Sequence, residues 1–550
     1  MDGGEKSLTS ALHLLDQFSK YSGLNPNLQK TSCVWLGSKT GSEEVLCTDH
    51  NLSWTNEPFV LLGIKFSTNI QDIPDINFGD RLGEIKKIIS AWSKRQLSPL
   101  GKIVVIKSII LPKLTHLFVS LPKPSFDWLK ELEKILYQFI WDHNDRIQRC
   151  QLIQDYSMGG LRMIHIESFI DSMKLSWIQR LLFGGNTLWA KLYEHLIPDR
   201  YKESFLNFGN EYLTWIILLI NNPFWKEVFE SLHKFRKIFE GDRQETTSHP
   251  IWYNNNIKIG EECVFFLNWY QRGIRSISDL LGQDGRFVGY EELCRMYNFR
   301  PIITRFYGLR CAILKCYPWL RAVDHIPMRP ACPKYLYSIL NNGKRGKKMY
   351  DFFIESLQKE QQFKNKWAFE LNLQMEDRDW KQINSAVKPL GEIQLQWFQY
   401  RILHRILGTK SFLHKVGIAD SPFCTFCDQM PETIMHLFGE CPVVERLIVE
   451  VKTWFSEIYE IEFDISRSNF ILGVPLKKDE TLNMVLTILK YYIYKQKMKN
   501  CRLSLIGYKK NLIYYYKLEH YLSKKNSTEA RHQKRWELFH VHLSEGVNLQ

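Results

Sequence analysis

Three cysteines and one histidine near the carboxyl end of the chain have the spacing of a tetrahedral metal site. Cys424 and Cys427 form a Cys-x2-Cys pair, His436 follows after eight intervening residues, and Cys441 follows after four more. A Cys-x2-Cys turn presents both sulfurs to one Zn²⁺, and a later His and Cys complete the tetrahedron. Four protein ligands leave no coordination position open, so the spacing predicts a structural zinc site. The competing interpretation is four unrelated buried residues.

A second set of Cys and His residues is a weaker candidate for a metal site. Cys311 and Cys316 lie in a segment typical of a helix, ahead of His325 and Cys332. Five residues of α-helix turn by ~500°, so the two sulfurs would point about 140° apart and would not share one metal. We expect both cysteines to be small buried side chains.

The C-terminal stretch interleaves positive charge with tyrosines. Between Lys490 and Arg535 there are 13 Lys or Arg residues and two acids, so this stretch contributes +11 of the net charge of +14. Lys and Arg displace counterions from phosphates, and tyrosines stack on unpaired bases. The pattern predicts a surface for RNA or single-stranded DNA, although a solvated helix with its tyrosines packed inward has a similar composition. The residues expected to make the contact are Lys495, Lys497, Lys499, Arg502, Lys509, Lys510, Tyr514, Tyr515 and Tyr516.

A second basic segment lies between Arg81 and Lys113 and contains eight Lys or Arg residues and one acid. Such a segment is either a solvated helix face or a surface that follows phosphates. On the second interpretation it would matter most for duplex or hybrid nucleic acid. The predicted contacts are Lys94, Arg95, Lys102 and Lys107.

The elements that position these residues are mostly helices. Apolar residues recur at three- and four-residue steps after Asp80 and after Ser125, which predicts amphipathic helices packed on a core. Ser98 and Pro99 suit the N-cap and first turn of a helix, and Pro112 is expected to stop that helix. Nearer the amino terminus, a helix over about 7–21 precedes strand-like runs near 32–36 and 59–66. The expected fold class is mainly α with a small α/β remnant.

Composition excludes several classes of protein. The 550 residues are 45% hydrophobic and 14% aromatic, which excludes wholesale disorder and predicts several globular domains. The best apolar run is far shorter than the ~20 residues of a membrane-spanning helix, and the first residues lack the features of a secretory signal. We therefore expect an intracellular protein, in which disulfides are rare. No phosphate-binding loop, nucleophile elbow, His-Glu-x-x-His motif or Asp-Asp dipeptide occurs in the chain.

Several segments form a series that is informative by its order and spacing. In chain order they are FSKYSGLNPNLQKT (18–31), LLGIKFS (61–67), WSKRQLSPLGKIVVIKSIILPKL (92–114), GGLRMIHIESFIDSMKLSWIQRLL (159–182), GIRSISDLLGQDGRFVGYEEL (273–293) and LQWFQYRILHRILGTKSFLHKVGIADSPFCTFCDQMPETIMHLFGEC (395–441). The series resembles the reverse transcriptase of non-LTR, LINE-type retrotransposons. In that family the segments correspond to motif D, the motif E primer grip, the thumb, the segment after it, the connector and the zinc-binding domain.

The resemblance implies a division of the chain into five parts. They are a palm remnant with motifs D and E (1–75), a helical thumb and following segment (80–185), a connector (186–375), a reverse-transcriptase zinc-binding domain (380–460) and a basic C-terminal helical segment (465–550).

The resemblance also implies what the chain lacks for catalysis. Lys30 matches the motif D lysine, which in the family is thought to help protonate the leaving pyrophosphate. Family members carry a Tyr/Phe-x-Asp-Asp turn and an earlier Asp ahead of motif D, and these carboxylates hold two Mg²⁺ ions. This chain contains no such turn. We therefore expect no complete catalytic site, and Mg²⁺ only in the complete enzyme.

These features together predict a truncated LINE-type reverse transcriptase that binds RNA and DNA and carries one structural Zn²⁺. The implied partners are template RNA and target DNA, without membrane contact, in a ribonucleoprotein of the nucleus and cytoplasm. One alternative is a fragment of an RNA-directed DNA polymerase whose catalytic part is missing from the gene model. Another is a host-adopted, zinc-bearing interaction module.

Overall fold

The computed structural model describes most of the chain, and within that part the protein is mainly helical with three two-stranded sheets. This confirms the expected fold class. Among these residues no single helix has the length and apolar composition of a membrane span. Two helices that meet at a 51° bend, Pro99–Ile110 and Pro112–Ser120, reach both criteria only when taken together. The described residues are 4–48, 52–55, 58–142, 144–183, 207–241, 249–321, 345–359, 361–387, 392–459, 465–474, 480–537 and 539.

The amino-terminal part contains one helix and two small sheets. Helix α1 (Glu5–Ser22) ends at Gly23, whose φ of 73° lies in the left-handed region that glycine adopts without strain. β1 pairs with β2 in parallel, and β3 pairs with β4 in an antiparallel hairpin. Leu62 and Gly63 form the hairpin turn with positive φ at both positions, as tight hairpins require. The strands are β1 (Ser32–Cys33), β2 (Ser53–Trp54), β3 (Phe59–Leu61) and β4 (Ile64–Phe66).

The next group of helices surrounds the first large core. The apolar stripe predicted after Ser125 is buried, as Leu132, Leu136 and Ile140 show. Ser98 caps its helix through a hydrogen bond from Gly101 N–H, as predicted. The helices are α2 (Ile73–Phe78), α3 (Arg81–Ser93), α4 (Pro99–Val105), α5 (Pro112–Ser120), α6 (Phe126–Trp141), α7 (Arg149–Leu152) and α8 (Ile166–Phe183).

The helix that begins at Pro99 ends before Pro112, which confirms that prediction, and a separate helix begins at the proline. Helix α4 continues into a π-turn, Ile106–Ile110, which closes with a hydrogen bond from Leu111 N–H to Ile106 O. Pro112 then occupies the first turn of α5, where a missing N–H removes no helical hydrogen bond. The two helices meet at an angle of 51°.

A second core follows, rich in aromatic side chains. Trp252 is fully buried and its Nε1–H donates to Ile274 O at 2.7 Å. β5 and β6 form a short antiparallel hairpin beside it. The elements are α9 (Asn210–Leu219), α10 (Pro223–Gly241), β5 (Lys258–Ile259), β6 (Glu262–Cys263), α11 (Leu267–Gln271), α12 (Tyr290–Tyr297), α13 (Ile303–Cys316) and α14 (Arg345–Ser356).

The weaker metal candidate falls partly in this region. Cys316 is half-buried at the end of α13, whereas Cys311 is exposed, so the expectation of burial was wrong for Cys311. His325 and Cys332 lie outside the described residues.

The third core joins the zinc-ligand region to the basic C-terminal helices. Its buried side chains run from Phe363 to Phe539, and Phe398 and Tyr508 are fully buried within it. The two regions, assigned to separate domains from the sequence, therefore share one interior. The helices are α15 (Gln362–Glu370), α16 (Asp377–Ser385), α17 (Ile393–Leu403), α18 (Lys410–Lys415), α19 (Pro442–Tyr459), α20 (Arg467–Leu472), α21 (Glu480–Lys499), α22 (Leu505–Lys525) and α23 (Glu529–Trp536).

Candidate zinc site and nucleic-acid interface

The four ligands predicted from the sequence meet in the structure. The Sγ atoms of Cys424 and Cys441 lie 3.8 Å apart, and Cys427 Sγ lies 3.3 Å from His436 Nε2. All four ligand atoms lie within 4.8 Å of one another. A tetrahedral Zn²⁺ with bonds of about 2.0–2.3 Å separates its ligand atoms by about 3.5–3.8 Å, so these donors fit one ion. All but Cys427 are buried, which is typical of a structural site.

A tight turn presents the sulfurs of the Cys-x2-Cys pair. Asp428 N–H donates to Cys424 O at 3.0 Å, and Phe426 N–H donates to Cys424 Sγ at 3.4 Å. Cys424 N–H in turn donates to Met430 O at 2.9 Å. A backbone N–H directed at a sulfur favours its thiolate form, which is the form that binds zinc.

A π-turn brings the other two ligands to the same side of their segment. The turn spans His436–Glu440, and Cys441 N–H donates to His436 O at 2.8 Å. Residues five apart in a regular α-helix point about 140° apart. The wider π-turn brings the side chain five positions later back toward the first, so both reach one ion. Cys311 and Cys316 have the same separation but lie in the regular helix α13.

A buried ion pair that the sequence analysis missed supports the zinc knuckle, which we define as residues 424–441. Glu432 is fully buried, and its Oε2 accepts hydrogen bonds from Thr425 N–H at 3.1 Å and Thr425 Oγ1–H at 2.9 Å. Lys497 Nζ of α21 lies 2.8 Å from Oε1 and also donates to Gly408 O at 2.7 Å. Burial opposes ionisation of Glu432, but the hydrogen bond and charge of Lys497 hold its pKa below the usual value. No local sequence signal marks the pair because its members lie far apart in the chain.

The zinc knuckle lies within a stretch that matches a known family. Residues 347–447 match the family described as zinc-binding in reverse transcriptase, and all four ligand positions fall inside the match. This stretch is a reverse-transcriptase zinc-binding domain. The match begins at residue 347, within α14, whereas the boundary predicted from the sequence was residue 380.

A transposon protein matches a larger share of the chain. The protein named Transposon TX1 uncharacterized 149 kDa protein, from Xenopus laevis, is 20% identical over 508 residues. The match covers 82% of this chain and 38% of that protein, so the chain spans about two fifths of the length of the curated relative it matches. With the reverse-transcriptase zinc-binding domain, this match confirms the recognition of the C-terminal region of a non-LTR retrotransposon reverse transcriptase.

Several basic and aromatic residues of the C-terminal stretch are structural groups, which corrects their sequence-based interpretation. Lys490 and Arg535 are buried, as is Lys497 in its pair with Glu432. Tyr515 and Tyr516 are also buried in the core. A base cannot stack on a buried ring, and a buried ammonium cannot reach a phosphate. Lys497, Tyr515 and Tyr516 therefore pack inside the protein.

The other predicted C-terminal contacts keep their side chains at least partly in solvent. Lys495 is half-buried, with Nζ 4.6 Å from the ring centroid of Tyr491. Lys509 is also half-buried, with Nζ 4.8 Å from the ring centroid of Trp454. The exposed members are Lys499, Arg502, Lys510 and Tyr514.

Helix α22 has one continuous exposed face of alternating lysines and tyrosines. Steps of four and three residues place five side chains within an arc of ~80°. Tyr514 is 58% exposed and Tyr521 is 65% exposed. None of the lysines on this arc pairs with an acid of the described chain, and the acid of this helix, Glu519, pairs with Arg535 on the opposite side. We call this surface the outer face of α22, which consists of Lys510, Tyr514, Lys517, Tyr521 and Lys524.

The outer face contains three residues that the sequence-based set did not include: Lys517, Tyr521 and Lys524. Their four- and three-residue spacing from Lys510 and Tyr514 is the signal that could have found them. The spacing becomes informative once the helix boundaries are known.

The basic segment before α6 divides into exposed and buried cations. Lys94 and Arg95 are exposed. Lys102 is buried and pairs with Asp142 at 2.6 Å, so it is a structural cation and not a phosphate contact. Lys107 is half-buried and lines a cleft beside the loop 153–164. The predicted surface for duplex or hybrid therefore loses Lys102, and the contacts of Lys94, Arg95 and Lys107 stay a prediction.

Lys30, the match to the motif D lysine, lies on the surface of the amino-terminal part. It ends the short 3-10 turn Leu28–Lys30, and its backbone N–H donates to Asn27 Oδ1 at 3.2 Å. Its side chain is exposed, and within the described chain it forms no ion pair. Its catalytic role stays a prediction from the resemblance.

Proposed function

We propose that this chain binds single-stranded RNA or DNA through the outer face of α22, as the C-terminal region of a non-LTR reverse transcriptase. The observation that carries the proposal is the alternation of lysines and exposed tyrosine rings along one helix face. The span from Lys510 to Lys524 rises ~21 Å along the helix. Over that length three cations can contact phosphates while two rings stack on bases, a combination that binds single strands without sequence preference.

The Zn²⁺ in this proposal holds the surface in place and takes no part in chemistry. Its four protein ligands leave no position for water or substrate. The zinc knuckle is joined to α21 through Glu432 and Lys497. Helix α21 packs against α22, where Tyr508 Oη–H donates to Val485 O at 3.2 Å. Zinc binding therefore supports the helical unit on which the outer face lies.

We expect no polymerase activity from this chain by itself. Metal-assisted nucleotidyl transfer needs carboxylates to hold the ions and orient the attacking hydroxyl, and the chain contains no Asp-Asp dipeptide. Primer extension on an RNA template with Mg²⁺ or Mn²⁺ measures this. Incorporation above that of a Lys30→Ala control would contradict the expectation. The proposed partners are template RNA and target DNA, in a ribonucleoprotein of the nucleus and cytoplasm.

The outer face is tested by replacing its lysines together, as Lys510→Gln, Lys517→Gln and Lys524→Gln. Each phosphate contact on a single strand contributes about −0.7 to the slope of log K against log salt, so the slope should flatten by about two units. Fluorescence anisotropy with a short single-stranded RNA measures affinity and slope. The unfolding temperature should stay unchanged because these lysines have no partner within the described chain.

A matched variant separates the effect of lysine position on binding from the effect of net charge. Lys130→Gln, Lys258→Gln and Lys366→Gln remove the same charge from three exposed lysines elsewhere on the protein. Equal losses of affinity in the two variants would show that overall charge drives binding. Unchanged affinity and slope in the α22 variant would refute the proposed surface.

A further inference from the structure

A large cleft lies between the π-turn after α4, the loop 153–164 and helices α14 and α16. Its volume of about 730 Å³ is within the range of pockets that bind small ligands. Four cations from separate parts of the chain line it: Lys107, Arg162, Lys347 and Lys381. Four carboxylates line it as well, and two of them are already paired: Asp155 with Arg162, and Asp377 with Lys364.

Lys107 has no carboxylate partner among the described residues. It lies in the π-turn Ile106–Ile110, a distortion of helical geometry that is frequent at functional sites. Burial, together with the charge of Arg162, lowers the pKa of Lys107 to about 8. A bound phosphate would counter both effects, because it supplies hydrogen-bond acceptors in place of lost water and offsets the second positive charge.

Arg162 is held in a conformation that costs energy. Its φ of 53° lies in the left-handed region, which residues other than glycine rarely adopt and which is often found at functional sites. The carboxylate of Asp155 accepts Arg162 Nε–H at 2.7 Å and Ser157 N–H at 3.0 Å. Asp155 therefore orients the guanidinium, and the N–H groups on its other edge remain for a ligand.

Acidic groups in the same cleft narrow the class of ligand. Asp351 and Glu355 lie one turn apart on α14, line the cleft, and form no ion pair within the described chain. By contrast, Asp377 pairs with Lys364 at 2.9 Å. A simple anion would be repelled by the two free carboxylates. Ribose hydroxyls, however, donate hydrogen bonds to Asp and Glu in nucleotide sites.

We propose that this cleft binds a ribonucleotide unit, with its phosphate at Lys107 and Arg162 and its ribose hydroxyls at Asp351 and Glu355. The ligand is a free nucleotide or the end of an RNA strand, since both present the same phosphate and ribose. The site is separate from the outer face of α22 and does not depend on it.

Isothermal titration of the full chain tests the ligand class. The probes are 5′-AMP, its 2′-deoxy analogue, inorganic phosphate and a short RNA with a 5′-phosphate. AMP should bind about tenfold more tightly than the deoxy analogue, the effect of one hydrogen bond to a charged group, and more tightly than phosphate. The RNA and AMP are compared on the triple lysine variant of α22, in which the outer face no longer contributes its phosphate contacts. In that variant, tighter binding of the RNA than of AMP would identify a strand end as the ligand of the cleft, and weaker or equal binding would identify a free nucleotide.

Substitutions in the cleft test whether AMP binds there. Lys107→Gln and Asp351→Asn should each weaken AMP binding about tenfold, whereas Lys107→Arg should preserve it. Asp351 is exposed, so a loss in Asp351→Asn cannot come from unfolding of the core. Lys113→Gln, at an exposed position of α5 outside the cleft, is the matched control.

The triple lysine variant of α22 should bind AMP normally, which keeps this test independent of the proposed function. No AMP binding, no preference for ribose over deoxyribose, or full AMP binding by both Lys107→Gln and Asp351→Asn would overturn the proposal. A loss in Lys113→Gln equal to that in Lys107→Gln would also overturn it, because binding would then follow charge and not the cleft.

Discussion

The zinc knuckle and the outer face of α22 share one core but use polar groups in opposite ways. In the knuckle, Glu432 accepts hydrogen bonds from Thr425 and from Lys410 N–H and pairs with Lys497. On the outer face, the lysines pair with no acid of the described chain, and the tyrosine rings lie in solvent. The polar groups of the knuckle bind one another, whereas those of the outer face remain available to a ligand.

This difference separates residues that determine folding from residues available for binding. Removing one member of a buried ion pair leaves an uncompensated charge, so substitutions in the knuckle should lower stability. Exposed side chains without partners contribute little to stability, so substitutions on the outer face should change binding alone.

Removing two zinc ligands should give the largest effect. In a Cys424→Ser, Cys427→Ser variant we expect loss of bound zinc and unfolding of the knuckle, because structural zinc contributes on the order of 10 kcal/mol in small zinc domains. Metal analysis of the purified protein measures zinc content, and hydrogen exchange measures local unfolding. Cys501→Ser is the matched control, since Cys501 is exposed and outside the cluster. Full zinc content in the double variant would contradict the ligand assignment.

Breaking the buried pair of the knuckle should cost about 3–5 kcal/mol of unfolding free energy. Lys497→Met leaves Glu432 buried without its cation, and urea unfolding measures the loss. The double variant Glu432→Gln, Lys497→Met should recover part of it because neither charge remains. Lys499→Met, at an exposed position two residues away, is the control. If Lys497→Met kept full stability but weakened RNA binding, Lys497 would belong to the nucleic-acid surface instead.

Lys490 is a buried lysine that pairs with no carboxylate of the described residues. Its Nζ donates to Gln399 Oε1 at 2.6 Å and to Ile471 O at 3.1 Å, and burial lowers its pKa to about 7. The unfolded chain, with an ordinary lysine pKa of 10.5, binds more protons between these values, so stability rises with pH across that window.

We expect a gain of about 3 kcal/mol from about pH 7 to about pH 9.5, at about 1.4 kcal/mol for each pH unit. Urea unfolding at several pH values should show this gain in the native chain but not in Lys490→Met. Groups common to both proteins cancel in the comparison. A stability difference between them that stays constant with pH would contradict a buried lysine with a lowered pKa.

The two faces of α22 should respond differently to loss of their tyrosines. Tyr514→Leu with Tyr521→Leu should weaken single-strand binding by about 1–3 kcal/mol per stacked ring and leave the salt slope unchanged, because no phosphate contact is lost. Tyr515→Leu with Tyr516→Leu should instead lower the unfolding temperature. Anisotropy and thermal unfolding of both pairs measure this contrast. If the two pairs of substitutions weakened binding equally and left stability unchanged, the two faces of α22 would not differ in role.

The zinc ligands could be predicted because their chemistry is local. Cys424, Cys427, His436 and Cys441 lie within one short segment, and the residue types alone select a soft metal. Helix geometry explained from the sequence why a five-residue separation fails at Cys311 and Cys316, but not why the same separation works at His436 and Cys441. A π-turn and an α-helix differ by one hydrogen-bond register, and packing of the surrounding core selects between them.

The sequence by itself determined where charge and tyrosines concentrate, with +11 between Lys490 and Arg535. It did not determine which of them face water. Tyrosines occur on both sides of α22, so periodicity alone could not identify the inner face. Helices α19 and α21 pack against α22, and these contacts determine which of its faces is buried. Burial is a property of contacts between elements distant in the chain, and only the tertiary structure contains those contacts.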